Sequence, residues 1–155
     1  MYTRSLIRAA AVMMTAGMLA GRVAAAPPTG RVVDLTGNDQ MKYNVTAIAA
    51  KPGELLHVRV KNIGTLPKQV MSHNFVLLAK GTDAAAFTTA GASAVATGYI
   101  DPKLKAKVLT STPLAGPGET VEVTFKAPAA PGQYTYLCSF PGHFLSGMKG
   151  VLTVK

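Results

Sequence analysis

The chain has 155 residues and a formal net charge of +9, with 16 lysine and arginine against 7 aspartate and glutamate residues. This length is enough for one domain with a hydrophobic core. A single cysteine excludes an internal disulfide framework, and the scattered basic residues favour acidic partners over nucleic acid.

The N-terminal segment has the layout of a secretory signal peptide. Arg4 and Arg8 give a positive start, residues 9–20 are apolar, and Ala24 to Ala26 offer small residues for cleavage. We therefore predict a signal peptide over residues 1–26, export to the periplasm, and a mature domain over residues 27–155. A retained membrane anchor is the alternative, although the apolar run is shorter than a bilayer span of about 20 residues.

Short strands follow in the first half of the remaining chain. In the clearest of them Leu56, Val58 and Val60 alternate with polar residues, so they should share a buried face. His57 belongs to the polar face, and we expect it to be exposed and to take no part in a site. The predicted strands cover residues 31–35, 42–49, 55–61 and 73–80.

The second half continues this pattern after one interruption. Residues 82–98 are rich in Ala, Thr and Gly and predict a short helical excursion, with Asp83 as a helix N-cap. Lys103, Lys105 and Lys107 alternate with apolar residues, which indicates the solvated face of a strand. Further strands are predicted over residues 105–110, 121–125, 133–138 and 151–154. Seven or eight short strands with regular turns indicate an all-β fold, an antiparallel β-sandwich.

Three candidate metal ligands lie close together near the C-terminus. Cys138, His143 and Met148 follow a Cys-x4-His-x4-Met spacing, and the Pro141-Gly142 pair turns the chain between the first two. His73 is the candidate fourth ligand. Each residue alone has an ordinary interpretation as a core or loop residue. Their combination within one short loop is what indicates a metal site.

The ligand chemistry favours copper. A thiolate and a thioether suit Cu(I), imidazole suits Cu(II), and a trigonal His2Cys site with a long axial Met serves both states. Zinc would require four good tetrahedral ligands, and Met is a poor one. One cysteine cannot attach an iron–sulfur cluster or a c-type haem. The residues therefore predict one copper ion, cycling between Cu(I) and Cu(II), in a one-electron carrier.

Several motifs resemble those of the small blue copper proteins, the cupredoxins, and most of all the azurins and auracyanins. The similarity covers nearly the whole mature chain and implies a Greek-key β-sandwich with a mononuclear type 1 copper site. The motifs are His73-Asn74, residues 138–143 and 148–150, together with residues 38–44, 64–74 and 98–103.

The resemblance also assigns roles to individual residues. It implies that His73, Cys138 and His143 are the equatorial ligands, with Met148 as a weak axial ligand. The backbone carbonyl of Ser72 would lie opposite the methionine. Around these, it implies that the Asn74 amide ties its strand to Ser139, and that the N–H groups of Asn74 and Phe140 donate to the Cys138 sulfur.

Three departures separate the chain from the azurins. Four residues, rather than three, lie between His143 and Met148, which affects the axial bond. The azurin disulfide near the N-terminus cannot form here, and Phe75 stands where azurins have a buried tryptophan.

In cupredoxins the second histidine reaches the surface through an apolar patch where redox partners dock. A small apolar patch suits close, short-lived encounters. The implied partners are redox proteins such as a c-type cytochrome or a copper/haem oxidoreductase, with a membrane involved only if the leader is retained. Two of the patch residues, Met41 and Leu66, are equally compatible with the core. The patch predicted here, termed the docking patch, consists of Met41, Leu66, Val70, Met71, Pro141, Phe144 and Leu145.

Other functions remain open at this point. The same ligands could serve a copper-binding or copper-delivery protein without a redox role. A copper enzyme such as a nitrite reductase would need a second, histidine-rich centre, and only His57 is left to supply it. An immunoglobulin-like adhesion module with a fortuitous ligand pattern would bind no metal.

Overall fold

A computed structural model describes residues 30–155, so the predicted signal peptide lies outside the described residues. The elements follow the predicted order of short strands with one helical excursion. They are β1 (Arg31–Gly37), β2 (Ala47–Ala50), β3 (Leu55–Asn62), β4 (Val76–Leu78), α1 (Ala84–Gly91), two 3₁₀ helices (Val95–Thr97 and Pro102–Lys107), β5 (Val108–Ser111), β6 (Thr120–Lys126), β7 (Gly132–Leu137) and β8 (Lys149–Val154).

These strands form two sheets, which confirms the β-sandwich. One sheet has the order β1-β3-β6 and the other β2-β8-β7-β4-β5. The β1–β3 and β2–β8 pairs are parallel, which the expected antiparallel arrangement did not include. The chain leaves the first sheet to form β2 and returns to it with β3, so β1 and β3 run in the same direction.

The core lies between the two sheets. Leu56, Val58 and Val60 of β3 are fully buried, as their alternation predicted, and they pack in one cluster with Tyr136 and Leu152 of the second sheet. Burial of each such aliphatic side chain stabilises the fold by roughly 1.5–3 kcal/mol.

His57 lies on the outer face of β3, but it is less exposed than expected. Its Nδ1 atom is 2.6 Å from Thr124 Oγ1 and its Nε2 atom is 2.6 Å from Glu122 Oε2. The side chain is only 26% exposed because these two β6 residues flank it across the strand pair. It joins two strands of the first sheet and is not among the grouped metal-ligand candidates of residues 30–155.

The lysine-rich segment is a 3₁₀ helix, so the strand predicted from residue 105 is wrong at its start. Asp101 accepts a hydrogen bond from the Lys103 N–H at 2.9 Å, and Pro102 occupies the first turn. These helix-start signals outweigh the alternating pattern, because Pro has its φ fixed near the helical value. Strand β5 begins only at Val108.

Two other predicted strands are shorter than expected. The strand predicted over residues 42–49 is reduced to Ala47–Ala50, and that over residues 73–80 to Val76–Leu78. In the first case the Asn38 side chain accepts from the Lys42 N–H, and Met41 has φ of 56°, so the chain turns before it can extend.

The helical excursion is confirmed. The Asp83 side chain accepts hydrogen bonds from the N–H groups of Ala85 and Ala86, which caps α1. Phe87 on α1 is 1% exposed and packs in a second cluster with Leu137, the residue before Cys138. No helix within residues 30–155 has the length and apolar character needed to cross a membrane.

Candidate metal centre

Three of the candidate ligands lie next to strands, and His143 lies in the loop between β7 and β8. Cys138 directly follows β7 and Met148 directly precedes β8, so the paired strands bring both ends of the loop together. The loop closes on itself through two backbone hydrogen bonds, from the Cys138 N–H to the Met148 carbonyl at 3.1 Å and from the Met148 N–H to the His143 carbonyl at 2.9 Å.

His73, Cys138 and His143 converge in a buried site. Their potential ligand atoms all lie within 4.8 Å of one another. The Cys138 Sγ atom is 3.4 Å from His143 Nδ1. His73 reaches them from the segment before β4, where its backbone exchanges two hydrogen bonds with Ala115 at 3.1 and 2.7 Å.

The polar atoms of His73 supply an independent test of the site. Both of its ring nitrogens are buried, and within residues 30–155 neither makes a hydrogen bond of ordinary geometry, although the Asn38 backbone lies near enough to oppose the lowering of the His73 pKa. A buried polar group without a partner costs roughly 1–3 kcal/mol, so a histidine in this position requires compensation. A metal ion bound by His73, Cys138 and His143 would satisfy such a nitrogen. The donor set of one thiolate and two imidazoles fits one copper ion.

The two predicted axial groups lie close to these donors. Met148 is fully buried. A methyl group built on Gly37 would meet both the Met148 Cε atom at 2.7 Å and the His73 Cδ2 atom at 2.6 Å, so the methionine and histidine ends lie side by side over this glycine. The Ser72 carbonyl oxygen is 3.7 Å from Cys138 Sγ. The roles of Met148 and Ser72 as ligands stay predictions.

Burial favours the neutral form of each donor. It raises the pKa of the Cys138 thiol to about 12, against the opposing effect of N–H donors from Asn74 and Phe140. Burial, together with the neighbouring His73, lowers the pKa of His143 to about 4, and burial also lowers the pKa of His73. Both imidazoles are therefore ready to bind a metal at neutral pH, whereas the thiol must release its proton on binding.

Asn74 connects the His73 segment to the cysteine loop. Its side-chain amide donates to Ser139 Oγ at 2.8 Å and accepts from the Ser139 N–H at 2.9 Å. The Ser139 hydroxyl then donates to the Gly98 carbonyl at 2.6 Å, which ties the helical excursion to the same point. Phe140 stacks near His143, with ring centroids 4.7 Å apart.

The seven residues of the predicted docking patch differ in exposure. Leu145 is 80% exposed and Val70 58%, whereas Met71 is only 8% exposed and must be removed from the patch. Met71 is buried because its segment turns inward toward His73. Phe144 is half-buried, packs against the second cluster, and lies 4.4 Å beneath the Lys149 Nζ atom. Of the remaining members, Leu66 and Pro141 are exposed and Met41 is half-buried.

His143 is also more enclosed than expected. The residue is only 1% exposed, so its ring lies beneath the loop surface.

Sequence reasoning missed two residues that shape the site. Gly37, the last residue of β1, leaves the space that His73 and Met148 fill. Tyr43 is 6% exposed, and its hydroxyl donates to the Asn74 carbonyl. Both act through residues far away in the sequence, so no local pattern identifies them.

Comparison with known proteins agrees with this site. The family model described as "Copper binding proteins, plastocyanin/azurin family" matches residues 31–155. Azurin from Pseudomonas aeruginosa is 39% identical over 126 residues, which is 79% of this chain and 84% of that protein. Auracyanin-B from Chloroflexus aurantiacus is 37% identical over 117 residues, covering 75% of this chain and 48% of that protein.

Solved structures give the same result. A structure of auracyanin B has a TM-score of 0.70 at 31% identity, covering 84% of this chain and 93% of that one. Auracyanin A from Chloroflexus aurantiacus, described as a "blue" copper protein, has a TM-score of 0.70 at 32% identity, covering 81% and 98%. The matched family model, the relatives and the buried His73–Cys138–His143 site agree, and the chain belongs to the plastocyanin/azurin family of copper-binding proteins, the cupredoxins.

Proposed function

We propose that this protein is a one-electron carrier and not an enzyme. The observation that carries the proposal is the buried donor set of His73, Cys138 and His143, whose potential ligand atoms lie within 4.8 Å of one another. A copper ion held there would supply one-electron chemistry by cycling between its Cu(I) and Cu(II) states. The protein would keep these donors fixed in both states, and Met148 and the Ser72 carbonyl would be two further groups able to hold the ion.

Two observations argue against the competing functions. A copper enzyme would need a second metal centre, but among residues 30–155 only one cluster of three or more potential metal ligands occurs. The third histidine of the chain, His57, is held by Thr124 and Glu122. A copper-delivery protein would need an accessible site from which the metal is released, whereas all three donors here are at most 1% exposed.

Cycles of reduction and reoxidation in the presence of a copper chelator separate a carrier from a delivery protein. The copper-loaded protein should be reduced and reoxidised by one electron per copper over many cycles without losing metal. Transfer of copper to the chelator during the cycles, in the absence of unfolding, would favour delivery and contradict the carrier proposal.

Partners would dock over the loop that covers His143. Leu145 and Pro141 of this loop are exposed, as are Leu66 and Val70 of the segment before His73, and these four residues would form the apolar docking surface. Lys149 lies over the Phe144 ring and Lys42 donates to the Ser146 carbonyl, so positive charge borders the surface. An acidic redox protein, such as a c-type cytochrome or a copper/haem oxidoreductase, would fit this combination.

Replacing Leu145 with glutamate should slow electron exchange by about tenfold or more. In an encounter complex the new carboxylate must lose water without gaining a partner, and 1.4 kcal/mol corresponds to a factor of ten. The rate of electron self-exchange between reduced and oxidised protein measures this effect. Val95→Glu is the matched control, because Val95 is 66% exposed and the substitution makes the same change in net charge outside the patch. Equal rates in both variants would exclude the docking patch.

Export to the periplasm belongs to the same proposal. It rests on the signal-like composition of residues 1–26, which precede the described part of the chain. A lone cysteine is vulnerable to oxidation outside the cytoplasm, and binding a metal would protect its sulfur. N-terminal sequencing of the protein from a bacterial periplasm would show whether cleavage occurs after Ala26.

A further inference from the structure

A hydrogen-bond cluster holds the backbone of Asn74, the residue after His73. Its carbonyl accepts from the hydroxyl of Tyr43. The N–H of the same peptide group, which belongs to Phe75, donates to Thr112 Oγ1 at 3.0 Å. Both ends of the peptide between residues 74 and 75 are thus held by side chains, and both of these side chains are buried.

The preceding peptide group, between His73 and Asn74, lies next to the Cys138 sulfur. The backbone N–H of Asn74 donates a hydrogen bond to Cys138 Sγ. Tyr43 and Ser139 therefore hold Asn74 itself, and Thr112 holds the N–H of the next residue, Phe75. Tyr43 also contacts the site through its backbone. It forms a backbone bridge with Gly37, and the His73 and Met148 side chains lie over Gly37.

We propose that Tyr43 is a positioning residue of the metal centre, whose hydroxyl holds the Asn74 backbone so that the Asn74 N–H points at the Cys138 sulfur. Donors to a metal-bound thiolate stabilise its negative charge and so tune the reduction potential. A shift of this backbone would lengthen the N–H to sulfur hydrogen bond, which weakens steeply as its geometry departs from linear. This inference depends on the proposed electron-carrier function only where it predicts a change in the reduction potential.

The chain contains a matched control for this proposal. Tyr136 is also buried, and its hydroxyl donates to the backbone carbonyl of Val45 at 2.8 Å. The two tyrosine rings contact each other, with centroids 5.9 Å apart. Tyr43→Phe and Tyr136→Phe therefore remove the same group from the same core, and each leaves one carbonyl without its donor. Only the first of these carbonyls belongs to Asn74.

The first measurement uses the copper-free protein. Amide hydrogen exchange by NMR should show the Asn74 N–H exchanging about tenfold faster in Tyr43→Phe than in Tyr136→Phe, after correction for the global stability of each variant. Thr112→Val, which removes the other tether of the same peptide, should act in the same direction, and Thr112→Ser should restore slow exchange. Equal exchange at Asn74 in the two tyrosine variants would overturn the proposal.

The second measurement uses the copper-loaded protein. Tyr43→Phe should lower the reduction potential and shift the thiolate-to-copper absorption, whereas Tyr136→Phe should leave both unchanged. An altered exchange rate without copper binding would count against the proposed function but not against the tether. An altered exchange rate with an unchanged potential and spectrum would mean that the tether is purely structural and that Tyr43 does not position the metal centre.

Discussion

Gly37→Ala is expected to weaken copper binding by about tenfold or more and to change the visible spectrum of the copper site. The added methyl carbon would lie 2.6 Å from His73 Cδ2, 2.7 Å from His73 Cγ and 2.7 Å from Met148 Cε. Contacts this short do not occur, so the histidine ring or the methionine methyl must move. A tenfold loss corresponds to about 1.4 kcal/mol, which lies within the roughly 1–3 kcal/mol that such crowding in a packed site costs.

Competition with a copper chelator would measure this loss, with visible spectra recorded on the same samples. Gly53→Ala is the control, because Gly53 has φ of 72° in a turn where nothing lies within 4 Å of the added carbon. That variant has backbone strain but no crowding. If Gly37→Ala kept the affinity and spectrum of the parent protein, His73 and Met148 would not lie against Gly37 as described.

Gly150→Ala should have the largest effect on the fold, lowering the free energy of unfolding by about 3 kcal/mol. Its added carbon would lie 2.2 Å from the Cζ and hydroxyl oxygen of Tyr136 and 2.6 Å from the Thr46 carbonyl oxygen. The Tyr136 ring cannot withdraw, because it is fully buried and its hydroxyl is bonded to Val45. The two paired strands β7 and β8 must separate locally to make room.

Urea denaturation of the copper-free protein would measure this change, since bound metal would add its own stabilisation. Gly53→Ala again supplies the comparison, with an expected cost of roughly 1–2 kcal/mol from its left-handed conformation alone. A loss in Gly150→Ala no greater than in Gly53→Ala would contradict the close packing of Tyr136 over Gly150.

Strand β3 and the cysteine loop were predictable because their signals are local. The alternation of Leu56, Val58 and Val60 needs only the two-residue period of a strand with one buried face. The ligands Cys138 and His143 share one short loop, and their chemical types already restrict the metal. His73 comes from a different segment; residue type alone makes it a candidate, and the resemblance to a known family implies its role as an equatorial ligand.

The features that sequence did not predict are mostly non-local. The parallel pairing of β1 with β3 depends on where β2 goes, and no pattern within β1 contains that information. Gly37 shapes the site because it lies against His73 and Met148. Tyr43 does so because its hydroxyl contacts the Asn74 carbonyl. The strand wrongly predicted from residue 105 is different, since the Asp101-Pro102 helix start is a local signal and it outweighs the lysine alternation.

The exposure of the docking patch also depended on tertiary packing. Leu145 and Met71 have similar hydrophobicity, yet one is 80% exposed and the other 8%. The difference arises because Met71 lies in the buried run that leads through His73 into β4, while Leu145 is at the outer side of the cysteine loop.

The visible spectrum of the copper-loaded protein, with and without Cys138→Ser, tests the central claim most directly. Cys138 is the only cysteine of the chain and supplies the only thiolate that could bind the metal. We expect an intense thiolate-to-copper absorption band in the parent protein, bleached reversibly by a reductant and absent from Cys138→Ser. A colourless copper-loaded parent protein, or a band that survives in Cys138→Ser, would contradict a blue copper site at Cys138.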